Sequence, residues 1–180
     1  PGDTVLIQGT GGVSLFALQF AVRAGARVIG LTSSPERAEV MRRLGAAEVV
    51  NYREVPKWGP VARDLAGGRI DLVVEVGGAE TLDQSVRFVR PGGTVALIGV
   101  LSGNLATFNL SLAVMRQVRM QGVTCGDREA FEAMLRSIAV SGIDPVIDSR
   151  FALTQARAAF ERMKANGHVG KILIDLEDAS

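Results

Sequence analysis

The stretch Val5-Leu6-Ile7-Gln8-Gly9-Thr10-Gly11-Gly12-Val13-Ser14, followed by Leu15-Phe16-Ala17-Leu18-Gln19-Phe20, constrains this chain more than any other. Three apolar residues run into a glycine cluster, and an apolar run free of Gly and Pro follows. That pattern reads as a buried strand, a tight turn and a helix. Glycine reaches positive φ and has no Cβ, so a ligand can approach the backbone of such a turn closely. The first N–H groups of the helix point back at the turn, where the helix dipole adds partial positive charge, and a diphosphate fits that geometry. The dinucleotide fingerprint is G-x-G-x-x-G. Here it reads Gly9-x-Gly11-x-x-Ser14 with an extra Gly12; Ser at the third position is the next smallest fit, after Gly and Ala, for packing helix on strand. A turn that binds nothing has the same local pattern, so the rest of the chain decides.

The rest repeats the unit. Residues 27–32, 48–52, 71–76 and 94–99, and a stretch near 118–124, read as further strands. Ser34 caps a helix with Pro35 at its first position, and Ala38, Val40, Met41 and Leu44 follow at helical spacing up to Gly45. Val61, Ala62 and Leu65 mark a helix ending at Gly67-Gly68, and Leu82, Val86 and Val89 mark another before Pro91. Residues 101–115 read as a looser connection. Continuous apolar strands indicate a parallel sheet covered on both faces, and their alternation with helices is the doubly wound pattern. Right-handed crossovers then select a Rossmann topology, with its ligand at the carboxyl ends of the strands where strand order reverses. The tail differs. Residues 127–139 read as a helix with Phe131, Met134, Leu135 and Ile138 on one face, and 146–151 as a strand. Residues 153–164 read as a helix with Ala156, Ala159, Phe160 and Met163 inward, and 170–174 as a closing strand. The expectation is an α/β, Rossmann-type doubly wound, mostly parallel six-stranded sheet over 1–126, with a C-terminal α/β return segment over 127–180.

Composition excludes several classes. A chain of 180 residues with 47% hydrophobic and 22% charged residues can build one packed domain, with or without an appendage. A net charge of +1 makes no electrostatic case for nucleic acid or an anionic membrane. No apolar run approaches the ~18 residues needed to span a bilayer, and no signal peptide is visible. One Cys and one His allow neither an internal disulfide nor a structural zinc site, so a reducing, cytoplasmic setting is expected. The start at Pro1-Gly2-Asp3, directly before the first strand, reads as a cut from a longer chain.

The motifs Gly9-Thr10-Gly11-Gly12-Val13-Ser14, Ser33-Ser34, Leu44-Gly45-Ala46, Asn51-Tyr52, Gly77-Gly78, Gly92-Gly93 with Ile98-Gly99, Gln121-Gly122-Val123 and Gly170-Lys171-Ile172 resemble the medium-chain dehydrogenase/reductase superfamily. Among its members the chain is most similar to the zinc-type alcohol dehydrogenase-like and quinone oxidoreductase-like proteins, over nearly its whole length. The resemblance implies a coenzyme-binding domain with its return segment, lacking the N-terminal catalytic domain. It implies hydride transfer between a nicotinamide and a carbonyl/alcohol, quinone or enone bound against that missing part. Catalytic zinc, where members carry it, belongs to the missing part, so no catalytic residue and no metal ligand is assigned here. Carried over by position, Gly9, Thr10, Gly11, Gly12, Val13 and Ser14 hold the diphosphate. Ser33, Ser34 and Arg37 read the adenosine ribose, and Tyr52 helps hold its phosphate. Gly77, Gly78, Ile98, Gly99 and Val100 face the ribose and nicotinamide, Gly126 and Arg128 make a later nicotinamide-side contact, and Lys171 lies near the nicotinamide-side phosphate. Cys125 and Asp127 depart from the small residues of the family.

The residues themselves point to NADP(H). An NAD site places Asp or Glu after the second strand to bind both ribose hydroxyls. That carboxylate would repel a 2′-phosphate by roughly 4 kcal/mol for unit charges ~4 Å apart near a surface, before screening. Here Thr32, Ser33 and Ser34 stand there, with no acid until Glu36, which is expected to face solvent, and Arg37 lies one turn in. A methyltransferase would favour an acid after the second strand, and a short-chain dehydrogenase would place a lysine where Pro56 follows Tyr52. A non-catalytic redox-sensing or structural dinucleotide module remains the rival reading. Plainer roles stand beside the functional ones: Ser34 as a cap, Tyr52 as strand-end packing, Lys171 as a surface lysine, Cys125 as a small buried residue and His168 as a loop histidine. Glu75, inside an apolar strand, needs a polar partner and is either structural or directed at the cofactor ribose. Residues 105–125 join an apolar, weakly charged stretch to an edge strand, and the resemblance implies a homodimer paired there.

Overall fold

A computed structural model describes residues 1–176. The apolar runs form β1 (Thr4–Gln8), β2 (Arg27–Thr32), β3 (Glu48–Asn51), β4 (Leu72–Glu75), β5 (Thr94–Leu97) and β6 (Arg119–Gly122), in the order β3-β2-β1-β4-β5-β6. Every neighbouring pair is parallel. Strand order reverses between β1 and β4, which puts a crevice beside the carboxyl end of β1. The connecting helices are α1 (Gly12–Arg23), α2 (Pro35–Arg43), α3 (Trp58–Leu65) and α4 (Leu82–Phe88), with α5 (Leu110–Met115) before the edge strand. This is the expected α/β Rossmann-type fold.

Side-chain alternation along β1 explains the two layers. Leu6 packs on one face with Ile29, Trp58, Ala62, Val73 and Val86. Its neighbours Val5 and Ile7 point to the other, with Leu15, Leu18, Val28 and Met41. A central strand buried on both faces has to be apolar in its interior, as β1 is from Val5 to Ile7 between Thr4 and Gln8. At the opposite end of the sheet Asp71 accepts the Thr4 N–H at 2.8 Å and binds Arg69 at 2.9 Å and Arg90. Burial pushes its carboxyl up, but these hydrogen bonds outweigh burial and hold it below the usual carboxylate range.

The return segment carries α6 (Arg128–Ser141), β7 (Ile147–Ala152), α7 (Ala156–Lys164) and β8 (Lys171–Asp175). Asp127 caps α6 by accepting the Ala130 N–H, and Gly142 ends it at φ 60. β7 and β8 form a separate parallel pair. Val146 and Val169 pack on the core layer around α1, and the Gly170 N–H donates to the Thr10 carbonyl at 2.9 Å. The segment is thereby fastened to the glycine turn. Asp148 supports the same loop: burial raises its carboxyl, and bonds from Arg162, the Val169 N–H and Ser149 bring it below its ordinary value.

Three expectations are corrected. Residues 101–115 are not only a loose connection, since Asn109 caps the short helix α5. Phe160 and Met163 on α7 are exposed rather than inward, while Ala159 is buried, and the apolar face of α6 likewise leaves Phe131 and Leu135 exposed. Periodicity identifies an apolar face but not whether this chain covers it. Cys125 is exposed, because it follows edge strand β6, all four of whose residues are exposed. Among the described residues no helix is long and apolar enough to cross a membrane.

Candidate functional site

The glycine turn is open where a ligand would meet it. Gly9 has φ +75, and its N–H donates to the Leu31 carbonyl at 2.7 Å, tying the turn to β2. A Cβ built on Gly9 or Gly11 would meet nothing within 4 Å. Gly11 is the N-cap of α1, no side chain caps that end, and its first turn holds no acid. The N–H groups of Gly12, Val13 and Ser14 therefore have no intrahelical partner. Val13 is half exposed there, whereas Ser14 is buried and its hydroxyl donates to the Gln8 carbonyl at 2.6 Å. Ser14 thus acts in its side chain as a small link between α1 and β1, which is what the third fingerprint position requires. Thr10 is buried with its hydroxyl unpartnered.

Lys171 stands over this turn from β8. A Cβ on Gly12 would fall 2.4 Å from the Lys171 Cε and 2.9 Å from its Nζ, so the ammonium lies against the first turn of α1. Its position follows from Gly170, whose φ of +82 and close approach to the Val146 carbonyl leave no room for a side chain. Partial positive charge from α1 and a full charge from Lys171 converge on one open surface.

At the end of β2, Ser33 is 8% exposed, and among the described residues no side chain engages its hydroxyl, while the Thr32 hydroxyl is buried and without a partner. Ser34 is committed: it accepts the Arg37 N–H as the cap of α2, and its hydroxyl holds the exposed Glu36 carboxyl below its usual value, with help from the Glu36 N–H. Arg37 reaches the Asn166 carbonyl across to the return segment at 3.2 Å. Tyr52, at the end of β3, lines a cavity of about 420 Å³ together with Leu31, Trp58, Gly77, Thr81 and Ser102. Among the described residues, then, the structure brings Tyr52 and Gly77 onto one recess, whose lining includes neither Ser33 nor Arg37.

The ends of β4 and β5 pack against each other. A Cβ on Gly78 would fall 2.6 Å from the Gly103 carbonyl oxygen, and one on Gly99 would fall 2.5 Å from that of Val76. Ile98 is half-buried on the α1-side core and Val100 is exposed. Gly126 and Arg128 are exposed at the start of α6, where the Arg128 guanidinium pairs with Glu132 at 2.8 Å. No described contact joins those two to the other candidates. The residue that sequence reasoning passed over is Gln8, the last residue of β1. Its side chain is buried and meets Glu75, Val76 and Gly77.

A dinucleotide fits these residues: open amides and an ammonium for a diphosphate, and a recess of nucleoside size. A metal does not, since no group of three or more His, Cys, Asp or Glu among the described residues could hold one. Comparison with known proteins agrees in kind. Residues 12–140 match the model of the zinc-binding dehydrogenase family. A zinc-type alcohol dehydrogenase-like protein of Schizosaccharomyces pombe is 36% identical over 98% of this chain and 53% of its own length. The crystal structure of an NAD-dependent alcohol dehydrogenase superposes with a TM-score of 0.90 at 30% identity, over 98% of this chain and 52% of that one. A 2-octenoyl-CoA carboxylase reductase, CinF, in complex with NADP and 2-octenoyl-CoA, gives a TM-score of 0.92 at 27% identity, over 99% of this chain and 44% of that one. The chain spans about half the length of the curated relatives it matches.

Proposed function

The chain belongs to the zinc-binding dehydrogenase family of medium-chain oxidoreductases, and from that premise we propose that it is the NADP(H)-binding part of a two-domain oxidoreductase. The observation that carries this reading is the uncapped turn at Gly9–Gly12, open at Gly9 and Gly11, with the Lys171 side chain over Gly12. The amides of Gly11, Gly12 and Val13 and the Lys171 ammonium bind the diphosphate. Ser14 keeps α1 close to β1. The adenosine half lies towards the recess of Tyr52, Trp58 and Gly77, and Gly99 and Val100 border the nicotinamide half. When bound, NADP(H) supplies or takes up the hydride exchanged with a carbonyl/alcohol, quinone or enone. Conjugated acyl substrates like that of the octenoyl-CoA relative fall within this class. The substrate cleft needs residues beyond this chain, so the chain alone is proposed to bind cofactor without turnover. The edge strand β6, each residue of which is exposed, beside exposed Leu110, Val114 and Met115, supports a homodimer.

The preference for NADP(H) over NAD(H) rests on Ser33. Its hydroxyl is free to donate to a 2′-phosphate, no acid occupies positions 32–34, and the start of α2 adds its dipole. Arg37 can leave the solvent-exposed Asn166 carbonyl for phosphate oxygens. Calorimetric titration tests this: NADPH is expected to bind at least about tenfold tighter than NADH, roughly 1.4 kcal/mol. Ser33→Asp should narrow or reverse that gap. Equal or tighter binding of NADH to the unmodified chain would sink the assignment.

A further inference from the structure

Gln8 and Glu75 end two apolar parallel strands, and both are buried, Glu75 completely. Gln8 Nε2 donates to Glu75 Oε2 at 2.7 Å and to Ser85 Oγ at 3.0 Å. Gln8 Oε1 accepts the N–H groups of Val76 and Gly77, each at 3.2 Å. Glu75 Oε1 accepts the N–H groups of Gly77 at 2.9 Å and Gly78 at 3.0 Å, and the Thr81 hydroxyl; Oε2 also accepts the Ser85 hydroxyl. Every polar atom of both side chains is used. A buried network satisfied this fully specifies one arrangement of the groups it joins.

Those groups are the wall of the recess. Gln8, Val76, Gly77 and Thr81 all line the cavity, and the network ties the glycine turn after β4 to the first turn of α4 and to β1. It also separates two strand ends that look alike in sequence. After β1 the amides are open and positively biased. After β4 the amides of 76–78 are consumed by the Gln8 carboxamide oxygen and the Glu75 carboxylate, so an anion finds no donors among them. We propose that Glu75 is a positioning residue for the adenosine half of the dinucleotide: it holds Gly77 and Thr81 as the recess wall and confines the diphosphate to the β1 turn. This rests on the dinucleotide reading above.

A carboxylate is needed rather than an amide. In Glu75→Gln the new N–H donors face either the Gln8 amide donors or the Gly77 and Gly78 N–H groups, and flipping Gln8 only turns its donors onto the Val76 and Gly77 N–H groups. Exchanging the two residues, Gln8→Glu with Glu75→Gln, restores complementarity. The carboxylate at position 8 accepts from Val76, Gly77, Ser85 and the amide at 75, whose oxygen accepts from Gly77, Gly78 and Thr81. Two readouts test the role: amide hydrogen exchange at Gly77 and Gly78 without ligand, and calorimetric affinity for 2′,5′-ADP, cross-checked by emission of Trp58, the single tryptophan, on the recess wall. Glu75→Gln should speed exchange and weaken 2′,5′-ADP, each at least tenfold, and the exchanged pair should bring both back within threefold. Both readouts within threefold of the unmodified chain in Glu75→Gln, or a folded exchanged pair without recovery, overturns the proposal. If Glu75→Gln does not fold, Thr81→Val and Ser85→Ala each remove one donor and should weaken 2′,5′-ADP at least threefold; unchanged affinity in both overturns it equally. Failure of the unmodified chain to bind 2′,5′-ADP would refute the dinucleotide reading instead, and amide exchange would still decide whether Glu75 holds the turn.

Discussion

Gly170→Ala should damage both the fold and the site, through one atom. Gly170 sits at φ +82, and an added Cβ would fall 2.1 Å from the Val146 carbonyl oxygen and 2.8 Å from its carbon. Those are backbone atoms and cannot swing aside, so the 169–171 strand entry has to move. Left-handed φ costs a non-glycine residue about 1–2 kcal/mol. The shift also removes two hydrogen bonds, Gly170 N–H to Thr10 O at 2.9 Å and Lys171 N–H to Val146 O at 2.8 Å. At about 1 kcal/mol each they add about 2 kcal/mol. Reduced freedom of the unfolded chain returns less than about 1 kcal/mol. The net is about 3 kcal/mol, or a fall in Tm of roughly 6–12 °C for a chain of this size. Because the same residue sets Lys171 over Gly12, NADPH affinity should drop at least about tenfold, roughly 1.4 kcal/mol. Urea unfolding followed by far-UV circular dichroism and Trp58 emission, with calorimetry for the cofactor, measures both. Stability within about 0.5 kcal/mol of the unmodified chain, together with unchanged affinity, would refute the reasoning, because shifts that small are ordinary for surface substitutions.

Gly11→Ala should do the opposite to stability. Its φ of −72 and the open space around it suit alanine, so stability should stay level or rise by up to about 1 kcal/mol. NADPH binding should still weaken at least about tenfold, roughly 1.4 kcal/mol, because the methyl group stands where the diphosphate approaches; a thermal melt beside a titration shows whether the two effects separate. Stability should fall in acid through Asp71. Its folded carboxyl titrates below the unfolded one, so its contribution is complete above the ordinary value of about 4 and disappears as pH drops through the lowered one. Urea midpoints between pH 6 and pH 2 should show a shallower acid limb in Asp71→Asn, and an unchanged limb would exclude this carboxylate as a source of the acid sensitivity.

The sheet was legible because its strands are buried on both faces: residues such as Leu6, Ile7, Val28, Val73 and Val95 leave no other assignment for runs of that length. The caps were legible for a local reason, since Ser34 and Pro35 act within one turn of their own positions. Contacts between distant residues were not. Gln8 and Glu75 lie 67 positions apart, and each alone is only a polar residue in an apolar strand. Glu75 could be recognised as needing a partner, but which partner depends on β1 lying next to β4. Arg37 has an obvious phosphate-side position in the sequence, yet its guanidinium rests on a carbonyl 129 residues away. Phe131 and Phe160 show the converse: helical spacing marks an apolar face whether or not this chain covers it. Helix α5 was missed because its six residues, LSLAVM, are apolar at almost every position and too few to show a helical period.

A titration of the isotopically labelled chain with NADPH, followed residue by residue through its amide resonances, tests the central claim most directly. Saturable shifts should concentrate on Gly9, Gly11, Gly12 and Val13, on Ser33, on Gly77 and on Lys171, with the Trp58 indole responding in step. Shifts that saturate elsewhere while the amides of Gly9 to Val13 stay unmoved would contradict a dinucleotide bound on the β1–α1 turn.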